Sequence, residues 1–122
     1  KTDLLDLVLA CCSNNLKEQN IDWHEKKSLC IVLCSKGYPE SYNKNIEIPN
    51  LKNLEINKNN FIYHAGTKIS DDTIYAVGGR VLNFVSISDD FSKARINVIK
   101  NISNLDWKDG FYRRDIGYKV ID

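Results

Sequence analysis

Apolar residues recur at helical spacing near the start of the chain, at Leu4, Leu5, Val8, Leu9, Cys12 and Leu16. Thr2 stands where a cap would bond the first turn, and Asp3 and Asp6 complement the helix dipole, so the pattern predicts a helix over 2–12. Its apolar surface is wider than one stripe, which predicts packing on more than one side. A polar connection over 13–28, carrying Trp23 and His24, leads into the continuous run Leu29 to Cys34. That run predicts a buried strand, ended by a tight turn at Gly37-Tyr38-Pro39. Alternations at Ile46-Glu47-Ile48 and Leu54-Glu55-Ile56 predict two short strands. The β-branched and aromatic stretches Phe61–Ala65 and Thr73–Val77, separated by the turn-forming Ser70-Asp71-Asp72, predict a hairpin. Arg80 to Ile87 is the longest strand candidate. Asp89 and Asp90 then cap a second helix whose Phe91, Ala94, Val98, Ile99, Ile102 and Leu105 form one face, and Lys108-Asp109-Gly110 ends it. Helix, strands, helix and tail together predict an α+β domain with a mostly antiparallel sheet.

Composition narrows the function classes more than it changes the fold. The 122 residues carry 17 Lys and Arg against 16 Asp and Glu, for a net charge of +1, which supplies no broad field for a phosphate backbone. The charge is uneven: residues 93–122 hold seven basic and four acidic side chains, a mild bias towards an anionic partner. The longest apolar runs, Leu7 to Cys12 and Leu29 to Cys34, are six residues each, far short of the roughly 20 that span a bilayer. With no signal peptide or membrane anchor visible, the expected location is cytoplasmic. The chain contains no Met and opens at Lys1, so a fragment of a longer protein is expected. Cys11 and Cys12 are adjacent in an apolar helical run, and Cys30 and Cys34 lie in an apolar strand. Neither pair has zinc-ligand spacing on a turn, and the expectation is four reduced thiols in a cytosolic core, with no metal.

Three stretches could carry chemistry. Gly78-Gly79 before Arg80 would let backbone N–H groups approach a ligand while the next side chain offers a forked donor suited to phosphate; a β-bulge or turn with a solvated arginine is the alternative. His64-Ala65-Gly66-Thr67-Lys68 places an imidazole and an ammonium at a strand end, although no acid partner for His64 can be named. Arg113-Arg114-Asp115 could clamp a ligand or form an ordinary surface ion pair. No Ser/His/Asp or Cys/His arrangement, Walker-type loop or paired carboxylates can be supported, so no catalytic residue is assigned.

Taken in order, Ser35-Lys36-Gly37-Tyr38-Pro39, Phe61-Ile62-Tyr63-His64-Ala65-Gly66-Thr67-Lys68, Gly78-Gly79-Arg80-Val81-Leu82 and Tyr112-Arg113-Arg114-Asp115-Ile116-Gly117 resemble the C-terminal part of phosphoribosylamine–glycine ligase. The resemblance covers nearly the whole chain. It implies residues 1–20 as a helical segment trailing from an ATP-grasp domain, and residues 27–122 as a small β-barrel-like sandwich of the rudimentary single-hybrid type. The implied activity is purine biosynthesis: ATP phosphorylates the carboxylate of glycine, and the amine of 5-phosphoribosylamine attacks that acyl phosphate to give glycinamide ribonucleotide, ADP and phosphate. ATP and magnesium would belong to the upstream ATP-grasp and N-terminal domains, so the fragment alone is expected to be inactive and to bind neither. The resemblance makes Lys68 and Arg80 candidates for the sugar phosphate, with Gly78 and Gly79 giving backbone access and His64 and Thr67 lining the pocket. It leaves Arg113, Arg114, Asp115, Gly37, Tyr38 and Pro39 to brace the domain or bind.

Two rivals come from other classes. A biotinyl or lipoyl carrier presents a lysine at a hairpin tip, and Ser70-Asp71-Asp72-Thr73 has none. A single-stranded nucleic-acid binder would use exposed aromatics and the basic C-terminal stretch, against the near-neutral charge.

Overall fold

The computed structural model describes residues 1–121. Its first helix, α1, runs Leu4–Cys12 and is capped by Asp3, whose carboxylate accepts the Leu5 N–H at 2.7 Å. Thr2, the expected cap, is engaged elsewhere: its hydroxyl accepts the Asp22 N–H at 2.7 Å and donates to the Asn20 carbonyl at 3.3 Å. The helix stops before Leu16 because Asn14 turns to a φ of +57°, and Leu16 falls in a 3-10 turn. Ala10 is the only buried residue of α1, whose Leu4 is 74% exposed.

The strands are β1 (Lys27–Ser35), β2 (Ile46–Glu47), β3 (Asn60–His64), β4 (Thr67–Ser70), β5 (Thr73–Ala76), β6 (Arg80–Ser88) and β7 (Gly110–Phe111), with helix α2 (Phe91–Leu105) between β6 and β7. They form two antiparallel sheets, ordered β3-β6-β1-β7 and β2-β5-β4. The α+β class therefore holds. Neither sheet closes on itself among the described residues.

Helix α2 begins where its sequence predicts, with the Asp90 carboxylate accepting the Lys93 N–H at 2.6 Å, and ends at Asp106 in the left-handed region. Its Ala94, Val98, Ile102 and Leu105 are buried against Leu29, Ile31 and Leu33 of β1 and Leu82 and Phe84 of β6. Each such large side chain contributes about 1.5–3 kcal/mol when removed from water, the main source of stability in a domain of this size. Ile48, Leu54 and Ala76 extend this core towards the smaller sheet.

Four further expectations need correcting. The predicted hairpin partner of Thr73–Val77 is not Phe61–Ala65: β5 pairs with β4, and β3 pairs with β6. Asp71 and Asp72 both adopt positive φ, 47° and 59°, so the turn is two residues long and joins only the segments immediately beside it. Leu54-Glu55-Ile56 is no strand, because the Asn101 side chain bonds the Glu55 backbone in both directions, at 3.3 Å each, and takes the place of a ladder. Strand β1 is buried on one face only, with Leu29, Ile31 and Leu33 inward. The cysteines are free but not core residues: Cys11, Cys12 and Cys30 are exposed and Cys34 is half-buried.

Candidate functional site

The two sheets are joined at one corner by two chain crossings. One leaves β3 through Ala65-Gly66 into β4; the other returns from β5 through Val77-Gly78-Gly79 into β6. The crossings are tied by backbone bonds: Ala65 N–H to Val81 O and Gly66 N–H to Arg80 O at 2.9 Å each, Val77 N–H to Gly66 O at 2.8 Å, and Gly78 N–H to Gly66 O at 3.1 Å. A Cβ placed on Gly66 would lie 2.6 Å from both the Arg80 carbonyl and the Gly78 Cα. Only glycine at both positions allows this approach.

Ser35 fastens the corner to β1. Its hydroxyl donates to Gly78 O at 2.8 Å, its N–H donates to Gly79 O at 2.8 Å, and it is buried. The ring of Tyr38 lies against Gly79, where a Cβ would come within 2.0 Å of it. Tyr38 is positioned by the turn that ends β1, in which the Tyr38–Pro39 peptide is cis and Gly37 has a φ of +97°. A Cβ on Gly37 would meet the Ser41 carbonyl at 2.3 Å. The Gly37-Tyr38-Pro39 turn and the diglycine, far apart in sequence, are thus one packed unit. Gly78 spends its N–H on Gly66 and its carbonyl on Ser35, so it joins the sheets instead of presenting a free donor.

The polar side chains around the corner divide into three places. His64 Nδ1 and Thr67 Oγ1 are bonded at 2.9 Å across the β3–β4 crossing. Lys68 lies on the face of the smaller sheet that also carries Tyr75, its register partner, with the ammonium 6.0 Å from the ring centroid. Arg80 opens β6 opposite Cys34, at a register shift between Leu33 and Cys34. Burial pushes the Cys34 thiol up, and the nearby Arg80 guanidinium partly opposes this. Lys68 and Arg80 are both exposed. The two cations leave positive charge exposed at the corner, on different sheets, and the corner assembles no nucleophile with a base.

Arg113 and Asp115 form an exposed two-point pair, at 3.2 and 2.6 Å. The hydrogen bond from Arg113 holds the Asp115 carboxyl below the usual carboxylate range. Arg114 lines a different hollow, of about 360 Å³, with Leu33, Trp107 and Tyr112. What anchors this tail is Arg95 of α2, whose guanidinium donates to the Ile116 carbonyl at 3.0 Å and to the Arg114 carbonyl. Sequence reasoning missed Arg95, Ser35 and Gly66. The glycine in His64-Ala65-Gly66 was in view, but only a partner across the corner reveals its role. No three or more His, Cys, Asp and Glu side chains converge as a metal site among the described residues.

The family model of the phosphoribosylglycinamide synthetase C domain matches residues 28–119. A phosphoribosylamine–glycine ligase of Fusobacterium nucleatum is 41% identical over 118 residues, covering 96% of this chain and 28% of that protein. Another, of Caldanaerobacter subterraneus, is 38% identical over 116 residues, covering 95% and 27%. A bifunctional purine biosynthetic protein of Dictyostelium discoideum is 36% identical over 123 residues, covering all of this chain and 15% of its own length. The crystal structure of a phosphoribosylamine–glycine ligase from Thermotoga maritima superposes with a TM-score of 0.66 at 20% identity, over 90% of this chain and 27% of that one, a likeness of fold. The chain spans between a seventh and a little over a quarter of the length of these relatives.

Proposed function

The chain belongs to the phosphoribosylglycinamide synthetase C-domain family, and on that premise we propose that it works as the C-terminal part of a phosphoribosylamine–glycine ligase. The parent would condense 5-phosphoribosylamine with glycine, using ATP, to make glycinamide ribonucleotide. The observation that carries this reading is 41% identity over 96% of the chain to a ligase of that name. The ATP and magnesium ligands would come from the ATP-grasp and N-terminal parts of the parent, and this chain would supply one wall of the substrate cleft. On this reading the two antiparallel sheets, neither of them closed among the described residues, would correspond to the single-hybrid sandwich that the resemblance implies.

In this proposal Arg80 and Lys68 hold the 5-phosphate of the sugar. Arg80 offers a planar pair of donors and Lys68 a mobile charge on a long stem. Gly78 and Gly79, whose bonds to Gly66 and Ser35 lock the joint, would set the point from which Arg80 reaches the sugar, and His64 and Thr67, bonded to each other, would flank it from the β3–β4 crossing. Arg113, Arg114 and Asp115 brace the domain against the rest of the ligase, and the Gly37-Tyr38-Pro39 turn braces the corner. The share of the work is positioning by charge, not bond breaking.

The test is Arg80→Ala in the full-length ligase. A charged hydrogen bond is worth about 1.5–3 kcal/mol, so the KM for phosphoribosylamine should rise about ten- to hundredfold while ATP affinity stays the same. An equal loss for both substrates would reject Arg80 as a phosphate ligand. Lys68→Ala should show the same split to a lesser degree.

A further inference from the structure

The four-stranded sheet has two unlike faces. The inner face lies under α2. The outer face carries Cys30, Val32 and Cys34 of β1, Phe61 and Tyr63 of β3, Val85 of β6 and Phe111 of β7, with Asn83 of β6 the polar residue between Val32 and Tyr63, as the strand registers place them. Cys30 is exposed, Tyr63 is 56% exposed, and the two β3 rings stack with centroids 6.2 Å apart. A sheet that keeps one face in water alternates apolar with polar residues, whereas one covered on both sides reads as a continuous apolar run. Strand β1 reads continuously from Leu29 to Cys34, yet among the described residues only its inner face is fully buried, while Cys30 is exposed and Val32 and Cys34 are half-buried.

We propose that this outer face is a docking face, buried in the full ligase by the part of that chain lying outside these 122 residues. The inference rests on the function proposed above. Three observations favour that occupant. The ligases matched here devote only 27–28% of their length to the region this chain covers, so each carries ample chain to cover this face. Arg80 lies across from Cys34 at the end of this same face, so a body seated on it would also stand beside the proposed phosphate ligand. A mostly apolar surface, exposed at Cys30, Tyr63 and Phe111 and half-buried at Val32, Phe61 and Val85, is of the kind that marks an interaction site, and the named face carries no lysine or glutamate.

The experiment is thiol footprinting of the native, full-length ligase, with peptide-level mass spectrometry of Cys30 after alkylation. If the face is covered within each molecule, Cys30 should be alkylated about tenfold or more slowly than in the denatured ligase, since reaction then requires local opening. The protection should be independent of protein concentration. Free alkylation of Cys30 in an enzyme that makes glycinamide ribonucleotide would overturn the docking face and leave the functional reading intact. Protection lost on dilution would assign the face to a second copy and also overturn it. Absence of ligase activity in the full-length protein would instead remove the functional reading. Tyr63→Glu gives a second measurement, because Tyr63 is solvent-exposed on this chain. The substitution should leave the helical circular dichroism unchanged while raising Cys30 alkylation in the full-length ligase severalfold; unchanged alkylation would count against the docking face.

Discussion

The space beneath α2 and the glycine corner between the sheets are both tightly packed, but by opposite means. Under α2, large side chains fill the volume: Phe84, Ile31, Leu82 and Leu105 are almost wholly buried. At the corner the packing is backbone on backbone, and it is the absence of side chains at Gly66 and Gly78 that permits it. The first region stores stability in apolar area, which tolerates swaps of similar volume. The second stores geometry, and a single methyl group is too much for it. On the proposed reading, the second kind of packing is what fixes the start of β6, where Arg80 stands.

The strongest way to break the contrast is to empty the filled region. Phe84→Ala should cost about 3–5 kcal/mol in urea unfolding, enough to unfold much of a marginal domain. Filling the empty region is next. Gly66→Ala should cost about 1–3 kcal/mol, because the new Cβ meets backbone atoms that cannot rotate away. A loss below half a kilocalorie would show that the crossings can separate. Gly79→Ala should be milder and rescuable, since the obstacle is the Tyr38 ring. In a double-mutant cycle with Tyr38→Ala, the two losses should add to more than the loss in the double variant. Ser35→Ala, which leaves the Gly78 carbonyl without its hydroxyl partner, should cost about 1 kcal/mol.

The smallest effect belongs to neither region and calibrates both. The Asp115 carboxyl is held low by its bond from Arg113. A depressed carboxyl adds stability above the ordinary carboxylate range and loses it as pH falls through the lowered value. Asp115→Asn should therefore lower the Tm slightly at neutral pH and not at all in strong acid. An equal difference at both pH values would mean that the pair does not act through charge.

The filled region was legible in the sequence and the empty one was not, for a physical reason. The face of α2 announces itself by period, because burial acts on every third or fourth residue of a helix, and β1 announces itself as a strand by its unbroken apolar run, which hides that only one of its faces is fully buried. The corner has no period. Gly66, Gly78, Ser35 and Tyr38 come from four places in the chain, and nothing local to any one of them names the others. The family resemblance gathered most of these residues by their order, yet it could not say that the diglycine spends its bonds inward. The hairpin error has the same root: Ser70-Asp71-Asp72 was recognised as a turn, but its two-residue length, which selects Thr67–Ser70 as the partner, depends on the left-handed φ of both aspartates.

The meeting of Gly66 with Gly78 bears on how this part of the chain can evolve. A large residue in a core can be offset by shrinking its neighbour, so lineages can drift through paired changes. Here each partner is already the smallest residue available, and neither can yield room to the other. Substitution at either site has no compensating step at its counterpart, which leaves changes in the length of the two connecting segments as the only route by which this joint could be remade.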